Sequence, residues 1–173
     1  NFRQVLENLY KSKYADTTFK ESILKQTIFG RPPLTQYFYG RQDELRLISK
    51  SIDTSQCICL CGPKGIGKTS LAAKLFHQVR VVKTFDVSIW HHSNSESVAE
   101  DLGDLLNSVY GKVIQQPEKS FFDYLKQNKA LVILDGIENW MDNLKEAEKF
   151  LKKIVELDHK SLVILTSSEP IKI

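Results

Sequence analysis

The sequence lacks any apolar run long enough to cross a membrane, since its longest apolar runs have only the length of β-strands. We expect no signal peptide at its start, because its first residues are patterned as an amphipathic helix rather than an apolar core. Arginine-rich runs are missing and the formal net charge is only +3, so composition gives no strong indication of a nucleic-acid partner. These absences predict a cytoplasmic globular protein of 173 residues with no membrane partner.

Methionine and cysteine are scarce. The chain does not begin with methionine, and its single methionine is Met141, so we expect a piece of a longer polypeptide. The three cysteines, Cys57, Cys59 and Cys61, alternate along one predicted strand and therefore share a face of it. A zinc site needs a second ligand cluster, which the sequence does not contain, and we expect small buried cysteines facing a helix. Free thiols suit a reducing cytoplasm.

The most informative segment is GPKGIGKT, which runs from Gly62 to Thr69. An apolar strand precedes it and a helical pattern follows it, as the Walker A phosphate-binding loop requires. Its glycines allow backbone N–H groups to surround a phosphate, and the N-terminus of the next helix attracts the same anion. Lys68 is placed to reach the outer phosphates and Thr69 to hold Mg²⁺. The predicted nucleotide-binding residues of this segment are Gly62, Pro63, Lys64, Gly65, Ile66, Gly67, Lys68, Thr69 and Ser70.

The periodicity of the remaining chain predicts an α/β domain. Residues 1–33 are predicted to form a helical appendage and linker, and residues 34–173 the nucleotide-binding domain. Apolar strands alternate with amphipathic helices, which predicts a three-layer fold with a parallel sheet. Four strands are visible, and we expect a fifth to be truncated or short. Either residues 171–173 begin this strand beside the strand 56–61, or one side of the strand 56–61 is open. The predicted strands are 56–61, 87–90, 130–134 and 161–166, and the predicted helices are 1–13, 19–29, a segment after Arg41, 68–79, 98–110, 117–126 and 141–157.

Asp135 ends the apolar run 131–134 at the carboxyl end of a predicted strand. In P-loop enzymes, an acidic residue at this position provides the carboxylate on the side of the Mg²⁺ ion. We therefore predict Asp135 as a metal ligand together with Thr69, and as a catalytic residue. The alternative is a simple transition from strand to turn, for which aspartate is also common.

The order of five segments resembles the NB-ARC module of bacterial STAND signalling ATPases, which are related to AAA+ proteins. The segments are YFYGRQDEL (37–45), GPKGIGKTSLAAKL (62–75), FDVSIW (85–90), LVILDGIENW (131–140) and LVILTSS (162–168). The resemblance implies ATP or ADP with Mg²⁺ as ligand, an adenine pocket at Phe38, Tyr39 and Arg41, and Thr166 near the terminal phosphate. It also implies self-association and contacts with effector and sensor domains of the same polypeptide. Without the resemblance, Arg41 belongs to a turn before a helix and Thr166 caps a strand end.

The sequence departs from this pattern at two positions. Gly136 stands where many members have a second acid that polarises the attacking water, and Ser168 stands where arginine is frequent. Glu138 is therefore the second candidate catalytic residue, and we expect slow or absent hydrolysis. His91 and His92 are interpreted as loop residues, because neighbouring side chains on a strand point in opposite directions and rarely bind one ion.

Three functions remain open at this point. The predicted one is an ATP/ADP-binding switch whose nucleotide exchange controls self-association. The alternatives are an AAA+-like motor ATPase acting on DNA or protein, and a non-enzymatic scaffold with a relict loop. Rapid turnover or stimulation by DNA would favour the motor, and failure to bind any adenine nucleotide would favour the scaffold.

Overall fold

The computed structural model describes residues 27–36, 38–52, 54–82 and 85–170. In these ranges strands and helices alternate along the chain, as the sequence predicts. The elements are β1 (Thr27–Phe29), α1 (Gln42–Ser51), β2 (Cys57–Cys61), α2 (Lys68–Val82), β3 (Val87–His92), α3 (Val98–Tyr110), α4 (Pro117–Gln127), β4 (Ala130–Asp135), a 3₁₀-helix (Ile137–Asn143), α5 (Leu144–Glu156) and β5 (Leu162–Ser167).

The strands form one parallel sheet in the order β1-β3-β4-β5-β2. Every residue of β4 and β5 is buried. These strands are covered on both faces, which explains why their sequences are almost continuously apolar rather than alternating. The parallel sheet with helices confirms the predicted α/β class.

The core consists of two apolar clusters, one on each face of the sheet. Because successive strand residues point to opposite faces, β4 contributes Leu131 and Ile133 to one cluster and Val132 and Leu134 to the other. The first cluster packs against α1 and α2, and the second against α3, α4 and α5. Because helices pack on both faces, the sheet is rigid, and the edge formed by the carboxyl ends of its strands can hold site residues in fixed positions.

One predicted helix is wrong at its end. Thr27–Phe29, the last residues of the helix expected over 19–29, form strand β1 and pair with Val87–Ile89 of β3. β-branched and aromatic side chains favour a strand, and pairing with β3 satisfies their backbone groups. The rest of that helix and the helix expected over 1–13 lie outside the described residues. The division into residues 1–33 and 34–173 stays a prediction, although β1 precedes the boundary and belongs to the sheet.

The position of the fifth strand also differs from the expectation. In the described part of the chain, β2 pairs with β5 only and is an edge strand, as one of the two expected arrangements requires. The fifth strand is the short β1 at the opposite edge. Residues 171–173, which were expected to begin a strand beside β2, lie outside the described residues.

Several helix boundaries agree with their sequence signals. Ser97 is the N-cap of α3, and its hydroxyl accepts a hydrogen bond from the backbone N–H of Glu100 at 3.4 Å. Pro117 occupies the first turn of α4, where its missing N–H costs nothing. Helix α5 begins at Leu144 rather than Met141, because the preceding turns are 3₁₀. No helix in the described ranges is both long and apolar enough to cross a bilayer.

Candidate nucleotide-binding site

The phosphate-binding loop connects the end of β2 to the start of α2. Gly65 and Gly67 have φ angles of 85° and 90°, which L side chains rarely adopt, so the loop needs glycine at these positions. Pro63, Lys64 and Ile66 are exposed, and Gly62 is half-buried. The loop therefore opens to solvent directly above the N-terminus of α2, where an anion is favoured.

Lys68 begins α2 and folds back over this loop. Its ammonium group donates hydrogen bonds to the carbonyl oxygens of Gly62 at 2.8 Å and Pro63 at 3.1 Å. The ammonium thus lies inside the loop, where the resemblance expects the outer phosphates. An anion there would replace two neutral carbonyl partners with a charged one, which forms stronger hydrogen bonds.

The predicted metal ligands come together at the ends of three elements. The Thr69 hydroxyl, in the first turn of α2, donates to Asp135 Oδ1 at 2.8 Å. Thr166, at the end of β5, donates to the same oxygen at 2.7 Å and accepts a hydrogen bond from the Gly136 N–H at 2.8 Å. Asp135 itself is 2% exposed. We call this group of Thr69, Asp135 and Thr166 the metal corner.

The chemistry of the metal corner fits Mg²⁺. A hydroxyl and a carboxylate are hard oxygen ligands, and Mg²⁺ is usually held by one or two such groups together with substrate phosphates and water. Thr69 and Asp135 would hold the ion beside the loop. Within the described residues, no group of three or more His, Cys, Asp or Glu side chains could hold a metal on its own. Bound phosphates and water would have to complete the coordination.

Glu138 lies on the 3₁₀-helix that follows Asp135. Its Oε2 accepts a hydrogen bond from the Ser168 N–H at 3.3 Å, which links it to the chain after β5. The same oxygen is 4.0 Å from the point where a Cβ on Gly136 would stand. Glu138 therefore lies next to the space that a second acid at position 136 would use, and its catalytic role stays a prediction.

A cavity of about 350 Å³ lies beside the phosphate-binding loop. Two of the predicted adenine-pocket residues differ in exposure, since Phe38 is half-buried whereas Tyr39 is 82% exposed and stands at the rim. The residues that line the cavity are Leu34, Thr35, Phe38, Tyr39, Arg41, Gly67 and Ser70. Leu34 and Thr35 are the first residues of the predicted nucleotide-binding domain, and nothing in the sequence indicated that they line this cavity.

Arg41 joins this cavity to the phosphate-binding loop. Its guanidinium donates to the carbonyl oxygen of Ile66 at 3.0 Å and to Glu44 at 3.0 Å. Its φ angle is 58°, which is uncommon for a residue with a side chain and costs of order 1–3 kcal/mol. The contact with Ile66 agrees with the predicted position of Arg41 near a nucleotide, while direct contact with a ligand stays a prediction.

The cysteines are less buried than predicted. Cys57 and Cys59 are half-buried against the cluster under α3, α4 and α5, but Cys61 is exposed, and its sulfur lies 3.2 Å from that of Cys59. Burial raises the pKa of Cys57 to about 11 and also raises the pKa of Cys59, so these two thiols are poor nucleophiles.

His91 and His92 are the last residues of β3 and not loop residues, which corrects the sequence interpretation. They do point in opposite directions, as expected on a strand. The ring of His91 contacts Asp101 Oδ1 at 3.2 Å, and the ring of His92 contacts Asp135 Oδ2 at 3.2 Å. Each imidazole therefore contacts a different carboxylate.

Asp101 accepts hydrogen bonds from several groups next to the metal corner. It was not among the residues predicted from the sequence. It lies in the first turn of α3 and is 1% exposed. The sequence did indicate a buried carboxylate at this position, because Asp101 interrupts the apolar stripe formed by Val98, Leu102 and Leu105. The groups that contact its carboxylate are the His91 ring, the Ser93 hydroxyl, the backbone N–H groups of Asn94 and Ser95, and the Trp140 indole N–H.

These contacts tie the segment after β3 to the 3₁₀-helix after β4. Burial alone raises the pKa of the Asp101 carboxyl, but the surrounding hydrogen bonds, that of His91 first, lower the pKa to about 2. Trp140 is fully buried, so without the carboxylate its indole N–H would lack an acceptor there.

Replacing Asp101 by asparagine is expected to lower the free energy of unfolding by about 1–3 kcal/mol, because an amide cannot accept all of these hydrogen bonds. The pH dependence should change as well. The unfolded pKa of aspartate is about 3.9, above the folded value, so the stabilisation is present above that pH and is lost as pH falls towards 2. Urea unfolding between about pH 5 and pH 2 measures it. Equal acid sensitivity of Asp101→Asn and wild type would contradict this account.

Fold and site together define a class of protein. A glycine loop between a parallel strand and a helix, facing an acid at the end of another strand, is the arrangement of P-loop nucleotide-binding proteins. The AAA domain family matches residues 51–170, and the chain belongs to this family. It is thus an AAA-type P-loop nucleotide-binding module.

Several known proteins are similar to this chain. An uncharacterized WD repeat-containing protein of Nostoc sp. is 28% identical over 87% of the chain and 14% of its own length. The disease resistance RPP8-like protein 3 of Arabidopsis thaliana is 31% identical over 55% of the chain and 12% of its own length. Among solved structures, C. elegans PCH-2 matches with a TM-score of 0.41 and 22% identity over 77% of the chain and 35% of that structure.

The chain spans less than a fifth of the length of the curated relatives described above. Their similarity is consistent with the resemblance to the NB-ARC module that the order of motifs indicates.

Proposed function

We propose that this chain is the ATP/ADP-binding switch module of a STAND signal-transduction protein. In this proposal, exchange of ADP for ATP controls self-association, and hydrolysis is slow or absent. The observation that supports it best is the contact of Thr69 and Thr166 with one oxygen of the buried Asp135, beside the phosphate-binding loop. Together with the similarity to disease resistance proteins, this favours a nucleotide-responsive module.

The residues have separate tasks in the proposed site. The backbone N–H groups of residues 62–67 and the Lys68 ammonium would bind the phosphates. Thr69 and Asp135 would hold Mg²⁺, which would supply charge neutralisation at the phosphates. The cavity beside Phe38 and Arg41 would accept the adenine. Thr166, at the end of β5, contacts both Asp135, at the end of β4, and the Gly136 N–H. Loss or gain of the terminal phosphate would therefore change the positions of the ends of β4 and β5 together.

A switch requires that the two nucleotides stabilise different conformations, since a ligand shifts an equilibrium only by its differential affinity. We expect the chain with ADP and Mg²⁺ to be monomeric, and the chain with a non-hydrolysable ATP analogue and Mg²⁺ to self-associate. Light scattering at matched protein concentrations measures the molecular mass in both states.

Two results would contradict the switch. The first is an equal molecular mass of the chain with ADP and with the ATP analogue, together with equal affinity of the chain for the two nucleotides. The nucleotides would then not favour different conformations, and a switch could not operate. Steady turnover in the ordinary enzyme range of about 1 s⁻¹ or faster, or stimulation by DNA, would favour a motor ATPase instead.

A further inference from the structure

His92 lies beside the metal corner and belongs to none of the roles assigned so far. It is the last residue of β3, and the register of the sheet pairs it directly with Asp135 of β4. Its Nδ1 lies 3.2 Å from Asp135 Oδ2, while its side chain remains 64% exposed. The ring therefore reaches the buried carboxylate from the solvent side of the sheet edge.

The two oxygens of Asp135 have different partners. Oδ1 accepts the hydroxyl hydrogen bonds of Thr69 and Thr166, and Oδ2 is contacted by His92. A neutral imidazole that bonds a carboxylate through Nδ1 carries its proton on that nitrogen and donates it. His92 is then the donor to Oδ2, opposite the two hydroxyls, so the three donors fix the rotation of the carboxylate.

Gly136, the residue after Asp135, lies next to the His92 ring. A Cβ on Gly136 would stand 3.4 Å from His92 Cε1 and 3.7 Å from Nδ1, which is ordinary van der Waals contact with the ring. The φ angle of Gly136 is 83°, a conformation that side chains disfavour. The imidazole thus lies against the place where the resemblance expects the second acid.

We infer that His92 is a positioning residue of the metal corner, acting through Asp135. It holds the carboxylate in the orientation in which Oδ1 faces Thr69. The inference rests on the proposed nucleotide-binding function. Partners that orient a ligating carboxylate commonly contribute about 10- to 100-fold to metal affinity or activity.

The test compares ATP affinity in Mg²⁺ with ATP affinity in EDTA, by calorimetry on the whole chain. The ratio of the two affinities is the gain due to Mg²⁺. His92→Ala is expected to reduce this gain about tenfold, and to leave the affinity in EDTA and the melting temperature unchanged. His92→Asn is expected to restore most of the gain, because the asparagine amide nitrogen is as many bonds from Cβ as Nδ1 and can donate to Oδ2.

The controls separate this inference from the proposed function. Glu96→Ala changes an exposed residue of the segment after β3 and should keep the full gain. A wild type that binds no nucleotide overturns the proposed function, and the inference with it. A wild type that binds with a clear Mg²⁺ gain, which His92→Ala retains, overturns the inference alone. An equal loss of affinity in Mg²⁺ and EDTA also overturns it, because His92 would then not act through the metal ligand.

Discussion

Replacement of Lys68 by alanine is expected to lower the affinity for both ATP and ADP by about 10- to 100-fold. Hydrogen bonds to a charged group contribute about 1.5–3 kcal/mol, and each 1.4 kcal/mol corresponds to about tenfold in affinity. The Lys68 ammonium already lies within the loop, on the carbonyls of Gly62 and Pro63, so it needs little movement to reach a phosphate. Calorimetry with each nucleotide in Mg²⁺ measures the effect.

Lys64 provides the matched control for this experiment. It carries the same charge in the same loop, but its side chain is exposed and its predicted contribution comes from the backbone N–H. Lys64→Ala should therefore change affinity by less than about fivefold, as expected for an exposed charge. Undiminished affinity in Lys68→Ala would refute the assignment of residues 62–69 as a phosphate-binding loop.

The second large effect concerns rate. Wild-type chain is expected to hydrolyse bound ATP more slowly than about 1 s⁻¹ in a single-turnover experiment. Phosphoryl transfer depends on a positioned water and on stabilised charge at the terminal phosphate. Gly136 cannot polarise water, and Ser168 brings no positive charge. An arginine that contacts the terminal phosphate can contribute about 10³–10⁵ in rate, so a switch rather than a motor is expected without one.

Ser168→Arg tests this explanation most directly. Position 168 follows β5, and its backbone N–H contacts Glu138, so a longer side chain there begins next to the candidate catalytic groups. We expect turnover to rise more than nucleotide affinity. An acid at position 136 is a poor companion variant, because the φ angle of 83° at Gly136 disfavours any side chain there.

A fast wild type would be informative in another way. Turnover of about 1 s⁻¹ or more would mean that Glu138 or another residue already positions the water. In that case Glu138→Gln should reduce the rate without changing ADP affinity. The switch function would then be wrong.

The features that depend on neighbouring residues in the chain were predictable. The loop GPKGIGKT carries its own conformational requirements in its glycines, and its flanking strand and helix have clear periodicity. The bounds of α3 follow from the Ser97 cap and the amphipathic pattern, and both are confirmed. Strands β4 and β5 were predicted because burial on both faces leaves an almost continuous apolar run.

The failures concern pairing between distant segments. Thr27–Phe29 form a strand because β3 offers them a free edge, whereas the local pattern alone favoured the end of a helix. The segment containing Leu34 and Thr35 directly follows the predicted linker and carries no motif of its own, and it becomes the wall of a cavity only when α1 and the phosphate-binding loop are placed beside it.

The sequence by itself determined the phosphate-binding loop, the parallel α/β class and the candidates Thr69 and Asp135, because each depends on local pattern or on a motif. Thr166 became a candidate only through the family resemblance. Only the tertiary structure decided that both hydroxyls contact one oxygen of Asp135 and that His92 contacts the other. Strand order and register bring these residues together, and both are set by how helices pack over the whole sheet. Local periodicity carries no information about that packing, so the neighbours of Asp135 could not be read before the fold was known.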